Sequence, residues 1–203
     1  MSNEVYLERF HSIFQETSLV KDRPKNEVYR FTWQRTFYNP IIIRIELNDQ
    51  TGTITVKKTD GVGGFGLQKV GKIIWDKTRE LSQTEITSVR NEINENKFWE
   101  IINTQEPPGL DGSPWIIEGV KKGTYHFLEK ESPEKGKIYN IGVHLLLLTS
   151  LPEKEPFLEI KQKKKETRMY MLAALFIVLL GLIIYRLHNK KVNLNKNPPS
   201  SEF

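Results

Sequence analysis

EVYRFTWQRTFYNPIIIRIELNDQTGTITVKK, residues 27–58, decides the fold of this chain. From Glu27 to Phe37 the residues alternate. Val28, Arg30, Thr32 and Gln34 fall on one side, and Tyr29, Phe31, Trp33 and Arg35 on the other. A period of two is the mark of a strand. The second set is mostly aromatic, which predicts that it turns inward. Asn39-Pro40 turns the chain, and Ile41 to Leu47 follows as an apolar, β-branched run interrupted by Arg44 and Glu46. Asn48-Asp49-Gln50 with Gly52 is a hairpin signal, and Thr53 to Lys58 is the returning strand. Together these segments predict an antiparallel meander.

The flanking segments extend it. Val5, Tyr6, Phe10, Ile13 and Phe14 share one side of a helix over Glu4 to Phe14. The polar stretch Gln15 to Asn26 reads as a linker. Leu67 to Trp75 is expected as a fourth strand. Ser82 and Glu85 form a capping-box signature, and Ile86, Val89 and Ile93 repeat at helical spacing to about Asn94. Phe98, Trp99, Ile101 and Ile102 are expected in the core. Trp115 to Val120 and Thr124 to Leu128 predict a hairpin across Lys121-Lys122-Gly123. Ile138 to Leu151 is leucine-rich and predicts a buried helix. The expected fold is α+β, a mainly antiparallel sheet with packed helices, plus one C-terminal transmembrane helix. The organisation expected is residues 1–26 as helix and linker, 27–151 as the compact domain, 152–168 as a charged connector, 169–187 as the span and 188–203 as a polar tail.

The span rests on Met169 to Tyr185, a run of 17 apolar, aromatic and glycine residues. At 1.5 Å per residue that is about 25 Å of helix, against about 30 Å of hydrocarbon. Tyr170 and Tyr185 suit the interfacial belts, and Arg168 and Arg186 can snorkel outward. Basic residues flank both ends: Lys161, Lys163, Lys164, Lys165 and Arg168 before, Arg186, Lys190, Lys191 and Lys196 after. Five against four places the N-terminal domain in the cytoplasm, by one charge. The opening MSNEVYLERF has neither the basic nor the apolar region of a signal peptide, which agrees. The expected location is a bacterial inner membrane, crossed once.

The net charge is +5, but residues 1–152 carry 20 basic and 20 acidic side chains. The excess therefore belongs to the membrane flanks and fits anionic lipid headgroups. A neutral domain lacks the basic footprint of a phosphate-backbone binder, so nucleic acid is not an expected partner. The chain has no cysteine, which excludes disulfides and thiolate chemistry.

Motifs of chemistry are few. TDGVGGFG, Thr59 to Gly66, lacks both phosphate-loop spacings, and its glycines read as backbone packing. Strand alternation allows Glu118 and His126 to share a face across neighbouring strands, where a carboxylate could orient an imidazole. The same two residues also make an ordinary cross-strand pair. With Asp111 they are the catalytic candidates, and Trp115, Tyr125 and His126 are the candidate interaction residues. His11 and His144 read as helix-face histidines. Histidines at 11, 126, 144 and 188 have no metal-ligand spacing, and Asp60 and Asp111 are explained by Asp-Gly turns. No metal and no cofactor is expected.

The stretch FWEIINTQEPPGLDGSPWIIEGVKKGTYHFLEKESP, Phe98 to Pro133, resembles a pattern found in uncharacterised bacterial proteins. In those proteins an aromatic first strand, a D-G-x-G-G loop and a leucine-rich final helix occur in the same order. Here these are Tyr29 to Phe37, Asp60 to Gly64 and Leu145 to Leu148. The resemblance covers about residues 27–151 and implies a fold, with no activity to transfer. Such proteins often carry an arginine and a tryptophan where this chain has Glu129-Lys130-Glu131-Ser132-Pro133. Many are exported or lipid-linked, which implies an outward-facing domain.

The sequence thus favours a membrane-anchored protein-binding or inhibitory module, such as an immunity protein or an accessory subunit of a membrane complex. Its expected partners are membrane lipid and another protein. A membrane-bound hydrolase built around Glu118 and His126, and a structural membrane component, are the alternatives.

Overall fold

The computed structural model describes residues 3–64, 67–103 and 112–154, together with 171, 176 and 178–182. Met1–Lys154 form one compact unit and Glu155–Phe203 a second. In the first, a helix α1 (Asn3–Ile13) and a short helix α2 (Leu19–Asp22) precede the strands β1 (Glu27–Trp33), β2 (Ile41–Leu47), β3 (Gly52–Thr59) and β4 (Ile73–Glu80). Helix α3 (Gln83–Glu95), strands β5 (Pro114–Lys121) and β6 (Thr124–Glu131) and helix α4 (Lys137–Leu147) follow. Short 3-10 turns lie at Leu67–Lys69, Phe98–Glu100 and Pro152–Lys154. The six strands form one sheet in the order β4-β3-β2-β1-β5-β6, antiparallel throughout. This is the expected α+β class.

The sheet is covered on both sides. One side presents Tyr29, Phe31, Ile43, Ile45, Ile54, Val56, Ile117 and Leu128, all buried, to α3 and α4. Ile86, Val89 and Ile93 fill it from α3, and Ile141 and Leu145 from α4. The other side lies under the N-terminal segment. Phe10 of α1 and Phe14 just after it pack with Ile42 and Val70, and Leu19 of α2 packs with Val28 and Val120. Residues 15–26 therefore do more than link. From Val28 to Thr32 both sets of the first alternation are buried, and Arg30 is only 1% exposed.

Three expectations change. The fourth strand begins at Ile73, not Leu67, and runs into Asp76-Lys77-Thr78-Arg79-Glu80. As the edge beside β3 it buries little, so it needs no apolar alternation and its polar half looks like a loop in sequence. Ile102 is 84% exposed and does not join Phe98 in the core. The last helix stops at Leu147, where Thr149 turns back to donate from Oγ1 to the Leu146 carbonyl at 2.7 Å.

Most of the 169–187 span lies outside the described residues, as do Lys163, Lys164, Lys165, Arg168, Arg186, Lys190 and Lys191. Residues 171, 176 and 178–182 are helical. Among the described residues no helix is long and apolar enough to cross a membrane.

Candidate functional site

The densest polar constellation lies between the N-terminal segment and the sheet. It is built on a cross-strand accident of register: Arg30 of β1 stands directly opposite both Arg44 of β2 and Glu118 of β5. One strand further, Lys57 of β3 pairs with Ile42 and shares the face. Three cations thus line adjacent strands, and like charges placed opposite each other destabilise a sheet. Two carboxylates offset them. Glu118 accepts from Nε and Nη2 of Arg30 at 2.7 Å each, and from the Tyr125 hydroxyl at 3.0 Å. Glu16, in the loop after α1, binds Lys57 at 2.7 Å and Arg44 at 3.2 Å, with Arg30 at 3.7 Å.

Backbone carbonyls complete the shell. Arg30 donates to Thr17 at 2.7 Å and Lys57 donates to Phe14 at 2.9 Å. His11, one helical turn before Phe14, shares a 2.9 Å hydrogen bond between Nε2 and the Thr32 hydroxyl. The same nitrogen lies 3.7 Å from Glu118. Burial, and after it the Arg30 charge, hold the His11 imidazole well below its ordinary range. Each carboxylate is thus engaged by the protein's own cations. The arrangement clamps the N-terminal segment to the sheet.

The structure separates the residues expected to act together. Glu118 pairs with Phe127, whereas His126 pairs with Gly119. A side chain and its cross-strand partner share a face, so Glu118 and His126 point to opposite sides of the sheet. The expected Glu118–His126 couple is corrected on that ground. His126 lies among Phe98 and Trp99, with ring centroids 5.0 and 6.0 Å away. Burial holds its imidazole below the usual value. Asp111 is outside the described residues. Asp60 is a turn residue whose amide donates to the Lys72 carbonyl at 3.0 Å.

The three candidate interaction residues form no common surface. Trp115 is 3% exposed, stacked on Tyr139 of α4 at 5.7 Å, and so is corrected from surface to core. Tyr125 lies on the opposite face with its hydroxyl on Glu118. The glycine loop after β3 is structural: a Cβ at Gly63 would overlap the Gln34 carbonyl, to whose neighbours the loop bonds through Gly63 N–H to Arg35 and Gly64 N–H to Thr36.

One constellation escapes sequence reading. Ser88 Oγ lies 3.1 Å from His144 Nε2, and Glu92 lies 3.5 Å from His144 Nδ1. Ser88 and Glu92 are four apart on α3, a visible spacing, but His144 arrives from α4 only through tertiary packing. The order serine, imidazole, carboxylate is that of a nucleophilic triad. Its setting is not. Ser88 sits mid-helix, where the neighbouring backbone amides are bonded within α3 and cannot stabilise an oxyanion. The depression beside it, lined by Gln83, Thr84, Thr87, Asn91 and Glu95, is an open groove along one helix. The trio ties α3 to α4.

No protein-family model matches this chain, and no curated protein sequence matches it.

Proposed function

We propose that this protein is a membrane-anchored binding module that acts by holding another protein at the membrane, as an immunity protein or an accessory subunit does. The observation that carries the reading is β4. Among the described residues this edge strand pairs only with β3, and six of its eight residues are exposed. Such an edge offers a row of backbone donors and acceptors to an added strand, and its exposed Asp76 and Lys77 supply neighbouring opposite charges for selecting a partner. The filled sheet faces and the pairing of buried Glu16 and Glu118 with Arg30, Arg44 and Lys57 support binding over chemistry. The segment 169–187, with its apolar run Met169 to Tyr185, is read as a single span of a bacterial inner membrane, with the N-terminal domain on the cytoplasmic side and the flanking lysines on lipid headgroups.

The test is capture of the detergent-solubilised full chain from native membranes, beside a variant carrying Asp76→Lys and Lys77→Glu. This pair inverts the edge pattern at constant net charge. One stoichiometric protein partner, lost in the variant, is the expected result. Equal recovery from both chains rules out β4 as the binding edge, and recovery of no partner rules out the binding class. Protease protection in intact spheroplasts checks the orientation: a digested domain overturns the cytoplasmic placement.

A further inference from the structure

The β1–β2 turn carries two adjacent exposed aromatic residues: Phe37 is 53% exposed and Tyr38 64%. Two neighbouring exposed rings make a local apolar patch. The turn is also built stiffly. Its Arg35 has a left-handed φ of 43°, and its guanidinium lies between the rings of Trp33 and Tyr38, at 4.9 and 5.0 Å from their centroids. The Tyr38 amide closes the turn onto the Arg35 carbonyl at 3.1 Å, and Gly63 and Gly64 brace it from the side.

Where the chain leaves the unit gives the turn its meaning. The unit ends at Lys154. The preceding residue, Glu153, binds Arg35 of the turn at 3.2 Å and also binds Lys58 at the end of β3. The exit is thus fastened to the aromatic turn. Arg35 and Lys58 both bind Glu153 at this exit, and Lys154 follows it. Fourteen residues, 155–168, with five basic side chains, then lead to the apolar run. Ile74, 55% exposed, opens β4 at this same end, beside the bulge after Lys58. The opposite end of the sheet turns through Asn48-Asp49-Gln50 and Lys121-Lys122-Gly123, which are polar.

We propose that Phe37 and Tyr38 seat this end of the domain in the headgroup layer of an anionic bilayer. The proposal rests on the membrane-anchor reading above. Aromatic side chains prefer that layer, where a ring meets apolar surroundings and a hydroxyl stays wet, and neighbouring cations add attraction to anionic headgroups. The turn acts as a foot. It fixes which edge of the domain a partner meets, because a domain tethered only by a connector would present every side.

The chain has no cysteine, so a single introduced one can be labelled uniquely. Full-length Tyr38→Cys and Asp49→Cys, each carrying bimane, are reconstituted into vesicles of equal parts phosphatidylcholine and phosphatidylglycerol. The phosphatidylcholine is then replaced by its brominated-chain form. The expected result is a blue shift and loss of bimane emission at position 38, neither at position 49, and a weakened loss when Phe37→Ser is added. Near-UV circular dichroism matching the parent shows that the labelled chains are folded. Unshifted, unquenched emission at both positions, from protein that stays in vesicles washed at alkaline pH, overturns the foot and leaves the anchor standing. Protein released by that wash overturns the anchor, and the foot with it.

Discussion

Arg30 and Arg44 stand directly opposite one another on neighbouring central strands, and a carboxylate supplied by the N-terminal segment reaches toward both. The pair would repel in a bare sheet. Glu16 turns the repulsion into an attachment site, because its Oε2 faces both guanidinium groups while Oε1 holds Lys57. The segment after α1 is thereby coupled to the sheet by electrostatics as well as by Phe10 and Phe14.

Glu16→Gln should therefore be costly. The carboxylate is 3% exposed, and its loss leaves Lys57 on backbone carbonyls, Arg44 on the more exposed Glu46 at 2.8 Å and Arg30 on Glu118. Breaking a buried pair by removing one partner costs about 3–5 kcal/mol. Urea unfolding should show that loss, and adding Arg44→Gln should recover part of it by removing one of the cations that Glu16 no longer offsets. An additive double variant would mean that Glu16 and Arg44 do not interact.

His11 gives stability a pH dependence near neutrality. Its folded-state value lies well below the ordinary value of 6.5, through burial first and Arg30 second. The unfolded chain therefore takes up the proton first as pH falls. The stability tied to neutral His11 is whole above about pH 6.5 and is lost below it, at about 1.4 kcal/mol per pH unit, until the folded form protonates too. The facing groups are Arg30, Glu118 and Thr32. His11→Gln should flatten the unfolding free energy between about pH 7.5 and about pH 5.5 relative to the parent. An unchanged slope would place that proton uptake elsewhere, with His126 the next residue to test.

The sheet was legible because its strands obey simple patterns: Glu27–Trp33 alternates, Ile41–Leu47 is β-branched, and Asn48-Asp49 turns. The α3 cap was legible because Ser82 and Glu85 carry it within four residues. Burial of Arg30 and Thr32 was not. Polar residues on an alternating strand read as the wet face, and only the return of α1 over that face shows otherwise. The face of His126 failed for a smaller reason. In this hairpin His126 pairs with Gly119 rather than Glu118, and a shift of one residue exchanges the two sides. The α3–α4 trio needed two helices whose crossing no local pattern encodes.

Gly142 should resist enlargement even though it lies inside a helix. Alanine there would favour the helix by about 1 kcal/mol. Its Cβ would stand 2.5 Å from Trp115 ring carbons and 3.1 Å from Phe31. Trp115 has little room to yield, since it stacks on Tyr139 at 5.7 Å and meets Phe31 edge-on at 5.0 Å. Overpacking of that kind costs about 1–3 kcal/mol, so the clash wins and Gly142→Ala should lower stability by up to about 2 kcal/mol. A variant more stable than the parent would show that α4 is not seated on Trp115.

The α3 cap should respond to acid in a lower window. Ser82 and Glu85 exchange hydrogen bonds at the first turn, with Glu85 accepting from the Ser82 amide at 2.9 Å. Arg79 of the edge strand grips the same carboxylate through two nitrogens, at 2.6 and 3.0 Å, and also donates to the Leu148 carbonyl just beyond α4. The Arg79 hydrogen bond, ahead of the Ser82 amide and hydroxyl, lowers Glu85 to about 2 from 4.5. A depressed carboxylate adds stability above its unfolded value and loses it as pH falls through the folded one. The Glu85 contribution should therefore fade from about pH 4.5 toward about pH 2, and Glu85→Gln should remove that part of the acid slope. Ser82→Ala should cost about 1 kcal/mol at neutral pH. The ion pair is solvent-accessible, so molar salt should weaken the Arg79 share and leave the Ser82 share in place. Equal salt sensitivity of Arg79→Met and the parent would show that the pair adds nothing beyond the cap.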